Sequence, residues 1–316
     1  MRIDLKAEAG RPANPIVDQI RREVERRKPG SIDEMNAIAA EVSGRHNRTA
    51  QSDLGGVSPE QAHRLIRPGW MDDVIELNDK LSAQDLAAVS LFQNAIRLLQ
   101  ALRELAVVKA TASGAFNRKF VLRMFEEFDL SAIARGVIQQ RIKALNQDDL
   151  PPLRILRHLL PMAGLVLYRN GEFRLTKQGA NLLADTAAGQ LYVQIFRTFF
   201  LKLNLGALDG LPQADVVQTS IGYAFYQISQ LAEGWSDVGD IAPKLFLPAF
   251  RESLPTCSRL ESPARRYAEL RILRHLKEFG LVDLEPDRLL TGPTRTRKSV
   301  LFDRFIRFNL PPLLGG

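Results

Sequence analysis

The sequence predicts a mainly α-helical protein with two small α+β domains in tandem, joined by an apolar helix and preceded by a helical extension. The heptapeptide LRILRHL occurs twice, at 153–159 and at 270–276, and a Gly-Leu-Val follows each copy. The two copies are 117 residues apart, which is the size of a domain and too long for a solenoid repeat. The chain has 316 residues, of which 45% are hydrophobic, enough for more than one core.

Local breaks in the chain predict three parts: a basic, partly helical extension over 1–57, a first domain over 58–186, and a helical connector with a second domain over 187–316. In the extension, Pro29-Gly30 ends one helical stretch, and Ser31 with Glu34 forms a capping box that begins another. Because the extension has little apolar periodicity, we expect it to join neither domain core.

The first domain is predicted to contain three helices and a strand before its hairpin. We expect, in chain order, a long helix capped by Ser82 and Asp85, a strand in VVKAT (107–111), a helix opened by Asn117, a helical insertion over 130–145, and a helix starting at Pro151-Pro152. The segment GLVLYRNGEFRL then has two β-prone runs joined by Asn170-Gly171, the dipeptide favoured in type I′ turns. Three helices followed by a hairpin is the order of a winged helix.

A helical wheel gives LRILRHLL two distinct faces. Arg154, Arg157 and His158 share one face, which we expect to be exposed. We expect the same of the arginines of the second copy. The opposite face is apolar, and we expect the following leucines of the two copies to be buried: Leu153, Leu156, Leu159, Leu160, Leu270, Leu273 and Leu276. Each domain therefore needs its own amphipathic third helix, and the sequence predicts two tandem winged-helix-like domains.

The second copy has the larger excess of positive charge. Its helix carries Arg271, Arg274 and Lys277, its wing carries Arg295, Arg297 and Lys298, and Thr291 stands about where Thr176 stands in the first copy. Residues 251–316 contain thirteen Lys and Arg against eight Asp and Glu, whereas 186–250 contain three against five. We therefore expect the second domain to dominate DNA binding and the first to set the register or hold a protein partner.

The apolar helix around Phe196, Phe199, Phe200 and Leu203 is interpreted as a core element that joins the two domains. The alternative is a homodimer interface, since dimers match two-fold operators. No stretch is apolar and long enough to predict a membrane span, because Arg197 and Lys202 interrupt the best candidate.

Few features of the sequence indicate catalysis or metal binding. The single cysteine, Cys257, can form neither an intramolecular disulfide nor a thiolate metal cluster, and no apolar signal segment opens the chain. None of the four histidines has a second ligand at metal-binding spacing, and no phosphate loop, nucleophile elbow or dinucleotide fingerprint is present. We expect a cytoplasmic protein without catalytic residues, metal or cofactor.

Three segments together resemble a family of bacterial proteins related to a plasmid open reading frame. They are VVKATASGAFNRKFV (107–121), AGLVLYRNGEFRLTKQG (163–179) and GQLYVQIFRTFFLKLNLGALDG (189–210). The resemblance covers about 59–210 and implies no activity or functional residues. The helix and hairpin segment is also similar in pattern to the winged-helix superfamily of transcription regulators.

The sequence favours a DNA-binding protein of regulatory or mobile-element accessory type, which contacts duplex DNA through the two third helices and the basic wing. The candidate contact residues are Arg154, Arg157, His158, Arg271, Arg274, Lys277, Arg295, Arg297 and Lys298. Arginine suits bidentate contact with guanine, and a wing of basic residues suits phosphates. One alternative is a non-enzymatic scaffold that binds proteins through winged-helix domains. The other alternative is a nucleic-acid enzyme.

Overall fold

The computed structural model describes residues 15–140, 145–257, 262–286, 292 and 294–314. The chain divides into two compact units: Met1–Arg64 with Leu310–Gly316, and Leu65–Asn309. Both copies of LRILRHL belong to the second unit. The predicted boundaries at residues 57/58 and 186/187 stay predictions.

The first unit contains α1 (Pro15–Arg27), α2 (Ile32–Arg48) and most of α3 (Pro59–Ile66). The predicted caps form: Ser31 Oγ accepts from Glu34 N at 3.2 Å, and Ser58 and Gln61 satisfy each other's backbone N–H groups. No residue of α1 is buried, and only Ile38 and Val42 of α2 are. This sparse core agrees with the weak apolar periodicity of the extension.

The second unit is mainly helical, which confirms the predicted helical class of the protein. Its helices are α4 (Trp70–Asp73), α5 (Ser90–Leu105), α6 (Arg118–Glu127), α7 (Ala132–Gln139), α8 (Pro151–Met162), α9 (Lys177–Leu182), α10 (Ala188–Leu201), α11 (Asp215–Thr219), α12 (Ile221–Leu231), α13 (Val238–Ile241), α14 (Pro248–Glu252), α15 (Pro263–Tyr267), a π-helical segment (Ala268–Leu273), α16 (Arg274–Glu278) and α17 (Val300–Phe305).

The strands form three small antiparallel sheets. They are β1 (Ile75–Leu77), β2 (Val108–Lys109), β3 (Val166–Arg169), β4 (Glu172–Leu175), β5 (Ser236–Asp237), β6 (Val282–Glu285), β7 (Arg295–Lys298) and β8 (Ile306–Phe308). The sheet orders are β1-β8, β2-β4-β3 and β5-β7-β6. Asn170 and Gly171 connect β3 to β4 with φ of 53° and 72°, so the predicted turn with two positive φ angles is confirmed.

The predicted start of the long helix is wrong. Ser82 and Asp85 do bond to each other's backbone N–H groups, but α5 begins only at Ser90 and Val89 is extended. Leu86 and Val89 are nearly fully buried at 0% and 1% exposure. Because both side chains are buried, residues 83–88 form turns instead of the first part of the helix. The local capping signal carries no information about this burial. Asn117 and Pro151 do begin α6 and α8 as predicted, and the helical insertion is α7, with 141–144 outside the described residues.

Helix α10 is a core element, as predicted. Phe196, Phe199 and Phe200 are at most 1% exposed and their rings contact one another. Gln194 on the same helix donates to the carbonyl of Ala163 at 2.9 Å, just after α8. The ring of Phe199 lies 4.8 Å from that of His275 in the second LRILRHL. Helix α10 therefore contacts both copies.

Candidate nucleic-acid interface

In the first copy, α8 is two-faced as the wheel predicts. Leu153, Leu156, Leu159 and Leu160 are all 0% exposed. On the other face Arg154 and Arg157 are half-buried and His158 is exposed. Arg154 Nη2 lies 3.5 Å from the carbonyl oxygen of Leu208, the limit for a hydrogen bond.

Arg157 and Tyr168 meet at the turn that contains Gly114. A Cβ placed on Gly114 would lie 2.9 Å from Tyr168 Oη and 3.4 Å from Arg157 Nη2, and Gly114 has φ of +77°. Only glycine fits such a position without strain. Helix α8, strand β3 and this turn therefore present a guanidinium and a phenol side by side.

The face of the first sheet opposite to Tyr168 carries further cations. Glu172 on the central strand β4 is opposite Lys109 on β2 and opposite Arg169 on β3, so the three side chains share one face. The carboxylate of Glu172 pairs with Arg174 at 2.7 Å. Within the described part of the chain, Lys109, Arg157 and Arg169 make no ion pair. Residues 87–188 hold fourteen Lys and Arg against eight Asp and Glu.

His158 adds little charge at neutral pH. Partial desolvation lowers its pKa below the usual value, the positive charge of Arg157 lowers it further, and Asp148 opposes the shift. A neutral imidazole still offers one donor and one acceptor to a phosphate or a base edge.

In the second copy, the heptapeptide lies one residue closer to the turn that follows the helix than it does in the first copy. The N–H of Leu165 bonds to the carbonyl of Leu160, and the N–H of Leu281 bonds to that of Leu276. Gly164 and Gly280, which have φ of +74° and +70°, stand at the same place in the two copies. Gly164 is six positions after His158, but Gly280 is only five positions after His275.

A shift of one residue turns a helix face by about 100°. By this alignment Arg271 takes the place of buried Ile155, and His275 takes the place of buried Leu159. The prediction that the arginines of both copies are exposed is therefore wrong for Arg271, which is 1% exposed. The other three arginines of the two heptapeptides are half-buried rather than exposed. Of the three leucines predicted to be buried, Leu273 and Leu276 are buried, but Leu270 is only half-buried.

Arg271 is fully engaged inside the unit. Its Nε lies 2.7 Å from Asp209 Oδ2, its Nη2 donates to the carbonyls of Leu211 and Pro212 at 3.2 and 3.0 Å, and its guanidinium lies 4.8 Å from the centre of the Tyr267 ring. A side chain with these contacts cannot reach DNA without opening the core.

The predicted basic residues of the second wing (β6 and β7) each face carboxylates. Arg295 pairs with Glu285 at 3.4 Å and Arg297 with Asp283 at 2.8 Å, both across the hairpin. Both guanidiniums also lie within 5.3 Å of the centre of the Trp235 ring. Lys298 contacts the carboxylates of Glu233 and Asp303 at 2.7 and 2.8 Å. The charge excess of this hairpin is therefore largely compensated locally.

The remaining predicted residues of the second copy, Arg274 and Lys277, are half-buried. Arg274 Nε is buried and has no hydrogen-bond partner in the part of the chain that the structure describes. His275 Nδ1 donates to the carboxylate of Glu278 at 3.0 Å, whereas its buried Nε2 has no hydrogen-bond partner among the described residues. The counterpart of Thr176 is Ser299: Thr176 and Ser299 donate to the carbonyls of Gly164 and Gly280 at 2.8 and 2.6 Å. The sequence-based counterpart, Thr291, lies outside the described residues.

The sequence analysis did not single out Tyr168, Lys109 or Arg169. Tyr168-Arg169 directly precedes the Asn-Gly turn, so both residues were readable as the end of a wing strand. Among the described residues, no group of three or more His, Cys, Asp or Glu is arranged to hold a metal ion. Over the same residues, no helix combines the length and apolarity needed to cross a bilayer.

Comparison with known proteins gives a family model that covers the first copy and one distant relative. Residues 87–188 match the family model of the Y4jL N-terminal domain. Over 150 residues the chain is 27% identical to "Uncharacterized protein y4jL" of Sinorhizobium fredii (strain NBRC 101917 / NGR234), an alignment covering 47% of this chain and 57% of the relative. The chain thus spans little more than half the length of that relative. No solved structure matches. The predicted resemblance to an uncharacterised plasmid family is therefore confirmed, and it is the Y4jL N-terminal domain family that residues 87–188 match.

Proposed function

We propose that this chain is a DNA-binding protein of regulatory or mobile-element accessory type and that residues 90–175 act as a winged helix. In this proposal α8 enters the major groove and the β3–β4 hairpin lies along the phosphate backbone. The element order α5, β2, α6, α8, β3, β4, with α7 inserted between α6 and α8, supports it, since α8 is a two-faced helix followed directly by a hairpin.

The observation that carries the proposal is the meeting of Arg157 and Tyr168 at Gly114. A guanidinium without a carboxylate partner keeps its charge available for a phosphate or a guanine edge. A tyrosine hydroxyl beside it can donate to a phosphate oxygen. Lys109 and Arg169 add positive charge to the same hairpin, on the face of the sheet opposite to Tyr168.

We place the proposed contact in the first copy rather than in the second. In the second copy Arg271 is buried, and Arg295, Arg297 and Lys298 face carboxylates. An arginine that must first leave a carboxylate loses part of what it gains from a phosphate. We therefore assign Arg157, His158, Tyr168 and Arg169 as the principal contacts, with Arg154 at the edge of the surface.

The test is binding of the full chain to labelled genomic DNA fragments by fluorescence anisotropy at 50 and 200 mM salt. The double variant Arg157→Ala/Arg169→Ala should weaken binding and reduce the salt slope by about one unit for each phosphate contact removed. The matched control is Arg295→Ala/Arg297→Ala, which should bind within about twofold of the wild type because these residues already have partners.

Two outcomes contradict the proposal. If the wild-type chain does not bind duplex DNA at 50 mM salt, or if only the control variant loses binding, the first copy is not a DNA-reading element. The first outcome would make the non-enzymatic, protein-binding scaffold the better account. Circular dichroism of each variant checks that the fold is retained.

A further inference from the structure

A groove at the N-terminal ends of α5 and α8 combines apolar walls with carboxylates. It has a volume of about 540 Å³ and is bounded by α5, α7, α8 and Glu278 of the second copy. Its apolar wall is formed chiefly by Leu130, Val137, Ile138 and Ile155. Volumes of 300–1,000 Å³ with mostly apolar walls and a few polar groups are typical of small-molecule sites.

The apolar wall is partly open to solvent. Val137 on α7 is 50% exposed, and its neighbour Ile133, one turn earlier, is 56% exposed. Two adjacent β-branched apolar side chains on one exposed helix face expose surface that a bound molecule would remove from water. Ile155, by contrast, is 6% exposed and forms the floor with the prolines that begin α8.

Three carboxylates line the groove: Asp129, Asp149 and Glu278. The Asp129 carboxylate makes no hydrogen bond or ion pair with the described residues. One oxygen of Asp149 accepts from Asn146 N at 3.0 Å, which leaves the other oxygen for a ligand. Burial raises the pKa of Glu278, but the hydrogen bond from His275 and the charges of His275, Arg274 and Lys277 lower it by more.

The charge of the groove is opposite to that of its surroundings. Residues 87–188 carry a net excess of basic side chains, yet none of the residues that line the groove is Lys or Arg. The carboxylates therefore favour a cation in the groove, and the apolar wall favours a hydrocarbon body.

We propose that this groove binds a small apolar molecule that carries a positively charged amine. The amine lies among Asp129, Asp149 and Glu278, and the apolar body lies against Val137, Ile138 and Ile155. This site is separate from the proposed DNA surface, so its occupancy can be measured without DNA.

The experiment titrates the full chain with three probes of equal chain length, octylammonium, 1-octanol and octanoate, by isothermal titration calorimetry at pH 7. Octylammonium should bind at one site about tenfold more tightly than octanol, with octanoate weakest, because only the headgroup charge differs among the three. Equal affinities for the three probes, or no binding of octylammonium at millimolar concentration, would overturn the proposal.

Substitutions in the groove and outside it test whether the probes bind at the proposed site. Asp129→Asn/Glu278→Gln should lower the affinity for octylammonium several-fold and leave that for octanol unchanged, whereas Ala134→Phe, which fills the groove from α7, should weaken both. Glu126→Gln on the exposed face of α6 is the matched control and should change neither. If Ala134→Phe binds the probes like the wild type, the amine binds elsewhere and the proposed site is wrong.

Discussion

Arg271 and Asp209 form a buried ion pair, with Nε and Oδ2 2.7 Å apart and side chains exposed by only 2% and 1%. The carbonyls of Leu211 and Pro212 accept from the same guanidinium. The pair is therefore fully hydrogen-bonded, which is the condition under which a buried pair is tolerated. It ties the second LRILRHL to the loop after α10.

The Arg271→Ala substitution should reduce the free energy of unfolding by about 3–5 kcal/mol, because it leaves the Asp209 carboxylate buried without its partner. The matched control is Arg154→Ala, the same position of the same heptapeptide in the first copy. It should cost less than about 1 kcal/mol, since Arg154 is half-buried and has no carboxylate partner among the described residues. Urea unfolding followed by circular dichroism measures both. Equal losses for the two variants would contradict the one-residue shift between the copies.

Leucines at matching positions of the heptapeptides should differ in the same way. Leu153→Ala should destabilise the protein by about 2–5 kcal/mol as a core truncation, because Leu153 is 0% exposed. Leu270→Ala should cost clearly less, since Leu270 is half-buried and occupies the place of Arg154. Thermal unfolding monitored by circular dichroism compares the two. A larger loss for Leu270→Ala would show that the helix faces are assigned wrongly.

Replacing each of two helical glycines by alanine should change the free energy of unfolding in opposite directions. Gly136 lies in α7 and a Cβ there would meet nothing within 4 Å, so Gly136→Ala should stabilise the protein by up to about 1 kcal/mol. At Gly222 in α12 a Cβ would contact the carbonyl oxygen of Leu65 and lie 2.7 Å from the Trp70 ring. Gly222→Ala should therefore destabilise, as overpacking in a core does, by about 1–3 kcal/mol. Denaturant midpoints give both signs, and a stabilising Gly222→Ala would refute the close approach of α12 to Leu65.

His158 should make the free energy of unfolding decrease as the pH is lowered from 7 to 5. Its pKa is lowered in the folded state by desolvation and by Arg157, so the unfolded chain binds more protons once the pH falls below the usual histidine pKa of about 6.5. The contribution is complete above that pH and is lost as the pH falls through the folded pKa. His158→Gln should therefore reduce the loss of unfolding free energy between pH 7 and pH 5. An unchanged pH dependence in His158→Gln would mean that other groups cause the acid-side loss.

Local features were readable from the sequence because their causes lie within a few residues. The caps at Ser31 and Asn117, the proline start of α8 and the positive φ angles of Asn170-Gly171 follow from short-range hydrogen bonding and sterics. The burial of the leucines of α8 follows from helical periodicity. The long helix predicted from Ser82 failed because burial of Leu86 and Val89 overrides a correct local cap.

The sequence by itself determined that the chain is mainly helical and that an amphipathic helix and hairpin occur twice. It also determined that Asn170-Gly171 forms the turn of the first hairpin. Tertiary structure decided which face each copy presents, because Arg271 points inward and pairs with Asp209, a residue far away in the sequence that no local pattern identifies as its partner. Tertiary structure also decided which basic side chains remain available to bind a phosphate, since ion pairing across a hairpin depends on the register of its two strands. The pairing of Ile75–Leu77 with Ile306–Phe308 was likewise beyond any local pattern, because no short-range interaction specifies a partner so distant along the chain.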